Sequence, residues 1–214
     1  DYYADNLQMK GEKISFDFHT KDGETHQFEW EIPGIHNVEN ATGALALLHH
    51  LGVDFEVLKK AIAGFKGIKR RYTRHKFADG KIYVDDYAHH PTEVEALLSA
   101  AREVADARGG RLLVLFQPHL FSRTRNFAQR FSAALAKADK TIVIDIYPAR
   151  ETQADFPQVT SALLANGTNV QYVSGREAGA LQLASEAKPG DLVLTVGAGD
   201  VTELANVIID AIGE

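Results

Sequence analysis

The chain has no cysteine among its 214 residues, so disulfides and thiolate metal sites are excluded. That absence fits a reducing cytoplasm, where the protein is expected to act. No apolar run approaches the roughly 20 residues of a membrane-spanning helix, and no signal peptide opens the chain. Positive charge is in deficit: the net charge of −6 argues against a dedicated nucleic-acid binder and leaves room only for a local basic site. Internal repeats and low-complexity segments are missing too. The chain starts at Asp1 with no methionine, which is expected of a piece of a longer protein. What remains is ordinary globular material, 45% hydrophobic and 24% charged, long enough for one large core or two small ones.

Residues 14–18 (ISFDF) and 28–32 (FEWEI) alternate apolar and polar around a KDGE turn at 21–24, predicting an antiparallel hairpin with one wet face. The stretch PGIHNVENATGALALLHHLG then takes helical spacing with a stop at Gly52, and residues 54–65 predict a second helix capped by Asp54. Residues 66–76 (KGIKRRYTRHK) hold six Lys or Arg in eleven positions and break the pattern, so the domain boundary is placed there. Beyond it the apolar runs KIYVDD, RLLVLFQ, KTIVIDIY, TNVQYV and DLVLTVGAG alternate with helical stretches near 91–107, 124–138, 176–187 and 200–212. Such alternation predicts an α/β domain with a mainly parallel sheet.

In open α/β sheets, ligands bind outside the carboxyl ends of the strands. Four runs end there in polar or glycine-rich sequence: DDYAHHP, QPHLFSRTR, DIYPARE and GAGD. The first gathers Asp85, Asp86, Tyr87, His89 and His90, which are suited to ribose hydroxyls, a metal or phosphate. A helix start explains Pro91, Thr92 and Glu93, but not that cluster. The histidine pair is not read as a zinc site: it lacks i, i+4 spacing, and adjacent residues of an extended segment point opposite ways. The second run offers Gln117, His119, Arg123 and Arg125. Ser122 or Thr124 is expected to cap the following helix, and Arg123 to grip a carboxylate or phosphate. GAGD lacks a third glycine at dinucleotide spacing and follows the last strand, so it is weak evidence for a nicotinamide cofactor. Its glycines are expected to bring the last helix close to the sheet edge.

The basic cluster has three readings: a nucleic-acid patch, a solvated linker or a phosphate clamp. Tyr72 is its one aromatic and the chain is acidic, so the clamp fits best. His36, Asn37 and Asn40 fall in and before a first helical turn. The two asparagines share a face suited to a planar base, and Asn37 alone would also serve as an N-cap.

PGIHNVENATGALAL, FKGIKRR, DDYAHHPTEV, FQPHLFSRTR, DIYPARE and GAGDVTEL, in that order and over nearly the whole chain, resemble the Mur ligases of peptidoglycan synthesis. Members have a UDP-binding domain, a central ATPase domain with a P-loop, and a C-terminal Rossmann-like domain. No G-x-x-x-x-G-K-[ST] occurs in this chain. The resemblance therefore implies the tail of the central domain, a hairpin plus two helices at residues 1–68, followed by the C-terminal domain at 69–214. It implies ATP contacts from His36, Asn37, Asn40, Arg70, Arg71, Asp86 (ribose) and His89, with Arg71 and His89 cast as catalytic. Tyr87, His119 and Arg123 are implied in the amino-acid pocket; Leu120 stands where some members carry arginine, so that contact is not carried over. The implied partners are small molecules, namely ATP, UDP-N-acetylmuramate and L-alanine, with Mg2+ held mostly by residues outside this chain. Ligation would run through an acyl phosphate, and this chain alone would be inactive. Members attaching a recycled tripeptide share the D-D-[FY]-A-H-H-P motif but not Q-P-H-x-F-S-R-T. A nicotinamide-dependent oxidoreductase is the alternative from another class.

Overall fold

The computed structural model describes residues 1–10 and 13–213. Two compact units divide between Gly67 and Ile68. In the first unit, β1 (Tyr3–Lys10), β2 (Lys13–His19) and β3 (Thr25–Trp30) form an antiparallel sheet in that order, followed by α1 (Ile35–His50) and α2 (Phe55–Gly64). Alternation along β2 buries Ile14, Phe16 and Phe18, which join Phe28, Trp30 and, from the helices, Val38, Ala41, Leu45 and Leu58. Asp54 caps α2 by accepting from the Glu56 amide. The predicted hairpin is thus two-thirds of a sheet. β1 escaped the pattern because it is polar and carries a bulge between Asp5 and Gln8, with Asn6 at φ 48°.

The second unit opens with β4 (Thr73–Lys76), then β5 (Ile82–Asp86), α3 (Pro91–Arg108), β6 (Leu112–Phe116), α4 (Phe121–Asn126), α5 (Ala128–Leu135) and β7 (Lys140–Val143). β8 (Val170–Tyr172), α6 (Arg176–Glu186), β9 (Leu192–Val196), a 3-10 turn (Asp200–Leu204) and α7 (Ala205–Gly213) complete it. The sheet order is β4-β5-β9-β6-β7-β8, with β4 antiparallel and all other pairs parallel. Every residue of β5, β6 and β9 is buried, as strands covered on both faces must be. Leu113, Leu115 and Val193 meet Ala180, Leu183, Ile208 and Ile212 of α6 and α7 on one face. Phe116 points to the other face, where Phe131 of α5 lies 5.4 Å away, ring centre to ring centre.

Three expectations are corrected here. Residues 73–76 of the basic cluster, expected at the domain boundary, form the edge strand β4, whose exposed Lys76 and half-buried Arg74 keep a bare edge from pairing further. The helix expected at 124–138 starts at Phe121 and breaks at Phe127 (φ −119°) into α4 and α5. The last helix begins as a 3-10 turn. α3 runs as expected, from Pro91 at its first position to Gly109 in the left-handed conformation.

Candidate active site

β5, β9 and β6 are in register, with Asp86, Val196 and Phe116 side by side, so the segments after them leave the sheet at one edge. DYAHHP, GAGD and QPH therefore meet there. DIYPARE joins through a parallel bridge between His119 and Tyr147.

The polar cluster on β5 splits in two. Asp85 and Asp86 turn inward, at 7% and 6% exposure. Asp85 accepts from the hydroxyls of Thr195 and Thr202, both at 2.9 Å, and Thr195 is bonded in turn to the buried Tyr83 hydroxyl at 2.6 Å. Asp86 accepts the backbone amides of Tyr72 and Ala88, each at 2.8 Å. Burial outweighs those amides and the nearby Arg71 charge, raising the Asp86 carboxyl to about 6. His90 belongs with the helix start rather than the site, correcting the sequence reading. Its Nδ1 accepts from the Thr92 amide at 3.4 Å, and Glu93 accepts the amides of His89 and His90.

Tyr87, His89, His119 and Arg123 do come together. The His89 ring lies 5.1 Å from Tyr87 and 5.7 Å from His119. Arg123 Nη1 donates to the His89 carbonyl at 3.4 Å. Burial, then the charges of Arg123, His89 and Arg150, push the His119 imidazole below its usual range, keeping it neutral at pH 7. Its Nδ1 is buried without a hydrogen-bond partner among the described residues.

Tyr147 was not singled out from the sequence, yet its ring stacks on His119 at 5.6 Å. The signal available was only its place in a strand-end segment. Gln117 proves structural: 4% exposed, it donates to Asp200 at 2.6 Å and accepts the Val201 amide at 2.9 Å. Of the GAGD glycines, Gly197 lets the Val201 turn come against the end of β6 as expected, while Gly199 lies against Gln117 and Tyr147 instead of the last helix. A Cβ on Gly199 would meet Gln117 Oε1, and Tyr147 Cγ at 2.6 Å. Arg70 Nη2 donates to Gly197 O at 2.7 Å and Gly199 O at 3.3 Å, whereas Arg71 is exposed.

Neither Ser122 nor Thr124 caps α4, contrary to expectation. Leu120 occupies the cap position at φ 73° with no side-chain bond, and the Thr124 hydroxyl donates back to the Leu120 carbonyl. The cap comes instead from Glu151, which accepts both the amide and the hydroxyl of Ser122. Glu151→Ala should therefore cost about 1 kcal/mol, typical of a lost cap, read as a lower denaturation midpoint. An unchanged midpoint would show the contact to be idle.

In the first unit, Gly34 holds the cap position of α1, so Asn37 is not the N-cap. Its side-chain amide donates to the Pro33 carbonyl at 2.7 Å. Asn40 is exposed one turn on, and His36 is half-buried. Among the described residues no three His, Cys, Asp or Glu side chains gather to hold a metal ion, and no helix is long and apolar enough to cross a membrane.

The family model for the Mur ligase glutamate ligase domain matches residues 70–199. The UDP-N-acetylmuramate–L-alanine ligase of Paenarthrobacter aurescens is 49% identical over 193 residues, 90% of this chain and 41% of that protein. Its counterpart in Thermobifida fusca is 42% identical over 222 residues, 100% of this chain and 47% of that protein. The chain thus spans less than half the length of these curated relatives. Among solved structures, the UDP-N-acetylmuramate-alanine ligase of Thermotoga maritima has a TM-score of 0.78 at 24% identity, covering 98% of this chain and 45% of that one. The MurF ligase of Thermotoga maritima, solved with ADP, has a TM-score of 0.69 at 16% identity, covering 100% of this chain and 46% of that one.

Proposed function

Because the chain belongs to the Mur ligase family, with its glutamate ligase domain over residues 70–199, we propose that it is part of an ATP-dependent enzyme joining L-alanine to UDP-N-acetylmuramate. The observation carrying this reading is 42–49% identity to two ligases of that name across 90–100% of the chain. Residues 1–68 are read as the end of the central ATPase domain and 69–214 as the C-terminal domain, a boundary one residue from the division between the two compact units. ATP supplies a phosphoryl group to the muramate carboxylate, and the amine of alanine attacks the acyl phosphate, expelling phosphate.

This chain's own residues bind and orient. Arg71, exposed beside the site, balances charge on the transferring phosphoryl group. His89 is assigned beside the same ligand by the motif it shares with the family. Asp86 is assigned to a ribose hydroxyl only by the motif it shares with the family, since its buried carboxylate already holds the amides of Tyr72 and Ala88. In the first unit, His36, Asn37 and Asn40 are assigned to ATP by the motif they share with the family. The amino-acid substrate falls to Tyr87, His119 and Arg123. The described residues offer no cluster for Mg2+, so no ligand in this chain is assigned to it and no step depends on it. On this reading, which needs ATP, we assign the enzyme to the cytoplasm.

The test is phosphate release by the whole enzyme containing this chain, given ATP and UDP-N-acetylmuramate. L-Alanine should support turnover and the recycled murein tripeptide should not; the reverse result overturns the assignment. The isolated chain, which has no P-loop lysine in its sequence, should release no phosphate above blank.

Arg123 is the sharpest single probe of the amino-acid pocket. Its bond to the His89 carbonyl is long, 3.4 Å, and a carboxylate displaces it at little cost. Arginine holds a carboxylate through two parallel bonds, which lysine cannot. Arg123→Lys in the whole enzyme should raise KM for alanine at least tenfold, about 1.4 kcal/mol, with KM for ATP nearly unchanged. An unchanged alanine KM in the folded variant removes Arg123 from the pocket.

A further inference from the structure

Arg70 and Arg71 are adjacent and chemically identical, yet the fold treats them differently. We infer that Arg70 is a positioning residue, an internal cation that fastens the Gly197–Gly199 turn to the end of β5, and that of the pair only Arg71 meets the anionic ligand. The second half of this inference rests on the phosphate-binding reading above; the first half does not.

Arg70 is held by backbone and side chain alike. It adopts φ 61°, a left-handed conformation that side chains rarely take. Its amide donates to the Thr73 hydroxyl at 2.8 Å, and its carbonyl accepts the Tyr87 amide at 2.8 Å. The guanidinium then sits among four sources of negative potential. Nη2 bridges the Gly197 and Gly199 carbonyls, Nε lies 3.8 Å from the Asp85 carboxylate, and Cζ stands 4.8 Å above the Tyr87 ring.

Asp85 is what makes this arrangement obligatory. A carboxylate at 7% exposure needs a cation or strong donors, and its other partners are the neutral hydroxyls of Thr195 and Thr202. Lending Arg70 to a phosphate would strip Asp85 of its positive partner and release both turn carbonyls at once. Arg71 faces no such loss. It is exposed, its guanidinium 5.7 Å from the same Tyr87 ring, with room to turn toward an anion. The turn that Arg70 fixes also sets Tyr147, since Gly199 lies against that ring. Arg70 therefore acts on the site through the turn, not by touching ligand.

The test compares Arg70→Ala, Arg70→Lys, Arg70→Met and Arg71→Ala in this chain, with circular dichroism establishing that each is folded. Hydrogen–deuterium exchange of the amides at 198–202 should speed up at least tenfold in Arg70→Ala and stay unchanged in Arg71→Ala. Arg70→Lys, keeping the charge beside Asp85, should recover part of the protection. Arg70→Met, keeping only length, should not. In calorimetric titration with inorganic tripolyphosphate at low salt, Arg71→Ala should lose at least tenfold in affinity and Arg70→Ala less than threefold. Unchanged exchange in Arg70→Ala, equal protection by methionine and lysine, or equal affinity losses in the two alanine variants would each overturn the inference. A wild-type chain that ignores tripolyphosphate would count against the phosphate reading instead, and the exchange data would still decide the role of Arg70.

Discussion

Asp86→Ala should lower the stability of the second unit by about 2–6 kcal/mol, because it leaves two buried amides unmet at roughly 1–3 kcal/mol each. Those amides, of Tyr72 and Ala88, now reach one carboxylate at 2.8 Å apiece. Tyr72 adds to the loss. It stands at φ 54°, and the Asp86 bond helps hold it in that strained conformation. Urea denaturation of wild type and variant measures the difference; less than about 1 kcal/mol would mean that water or a neighbour replaces the carboxylate.

The same carboxyl carries a pH signature. Its value rises from 3.8 in the unfolded chain to about 6 in the fold, so the native state binds the proton more tightly. The stability this contributes is fully present below about pH 4 and is lost as pH rises through 6. Compared with Asp86→Asn, which cannot titrate, wild type should lose about 2 kcal/mol of relative stability between pH 4 and 7. A gap that stays constant would place the folded carboxyl at its ordinary value.

The second large effect is expected at Gly199. A methyl there would press on Gln117 Oε1, and on Tyr147 Cγ and Cβ at 2.6 and 2.7 Å. Neither neighbour yields easily. Gln117 is bonded at both ends of its amide, and the Tyr147 atoms are close to their own backbone. Overpacking of this kind costs about 1–3 kcal/mol. Gly199→Ala should therefore lower the melting temperature and also turn Tyr147 off His119. Chemical-shift change at the His119 ring, absent from a control such as Gly43→Ala, where nothing lies within 4 Å of the added Cβ, reads the second effect. Normal His119 shifts in the variant would show that the turn and the ring are independent.

These sites show where sequence was informative. β5, β6 and β9 were legible because doubly covered strands are continuous apolar runs, and α3 because proline and glycine punctuate it. β4 and β1 were not, since polar edge strands resemble loops and a bulge destroys period two. Tyr87, His89, His119 and Arg123 stood out as polar residues at strand ends, where placement alone is informative. The roles of Asp85, Gln117 and Arg70 could not be seen. They depend on partners 83 to 129 residues away, and local pattern is silent at that range. Periodicity also cannot tell a strand-end aspartate that faces a cleft from one that ties down an amide.

The position of β9 has a consequence for how the chain is made. β5 and β6 are not neighbours in the sheet; each pairs along its length with β9, which comes after the sheet's other five strands in chain order. Until residues 192–196 leave the ribosome, the emerging sheet is two separate halves, each with an apolar edge waiting for the same partner. Synthesis therefore finishes the unit in one late, non-local step, with the slow folding that such pairing brings. A stop codon shortly before Leu192 would not trim this protein but deprive it of its centre, leaving two sticky half-sheets for chaperones and proteases to remove.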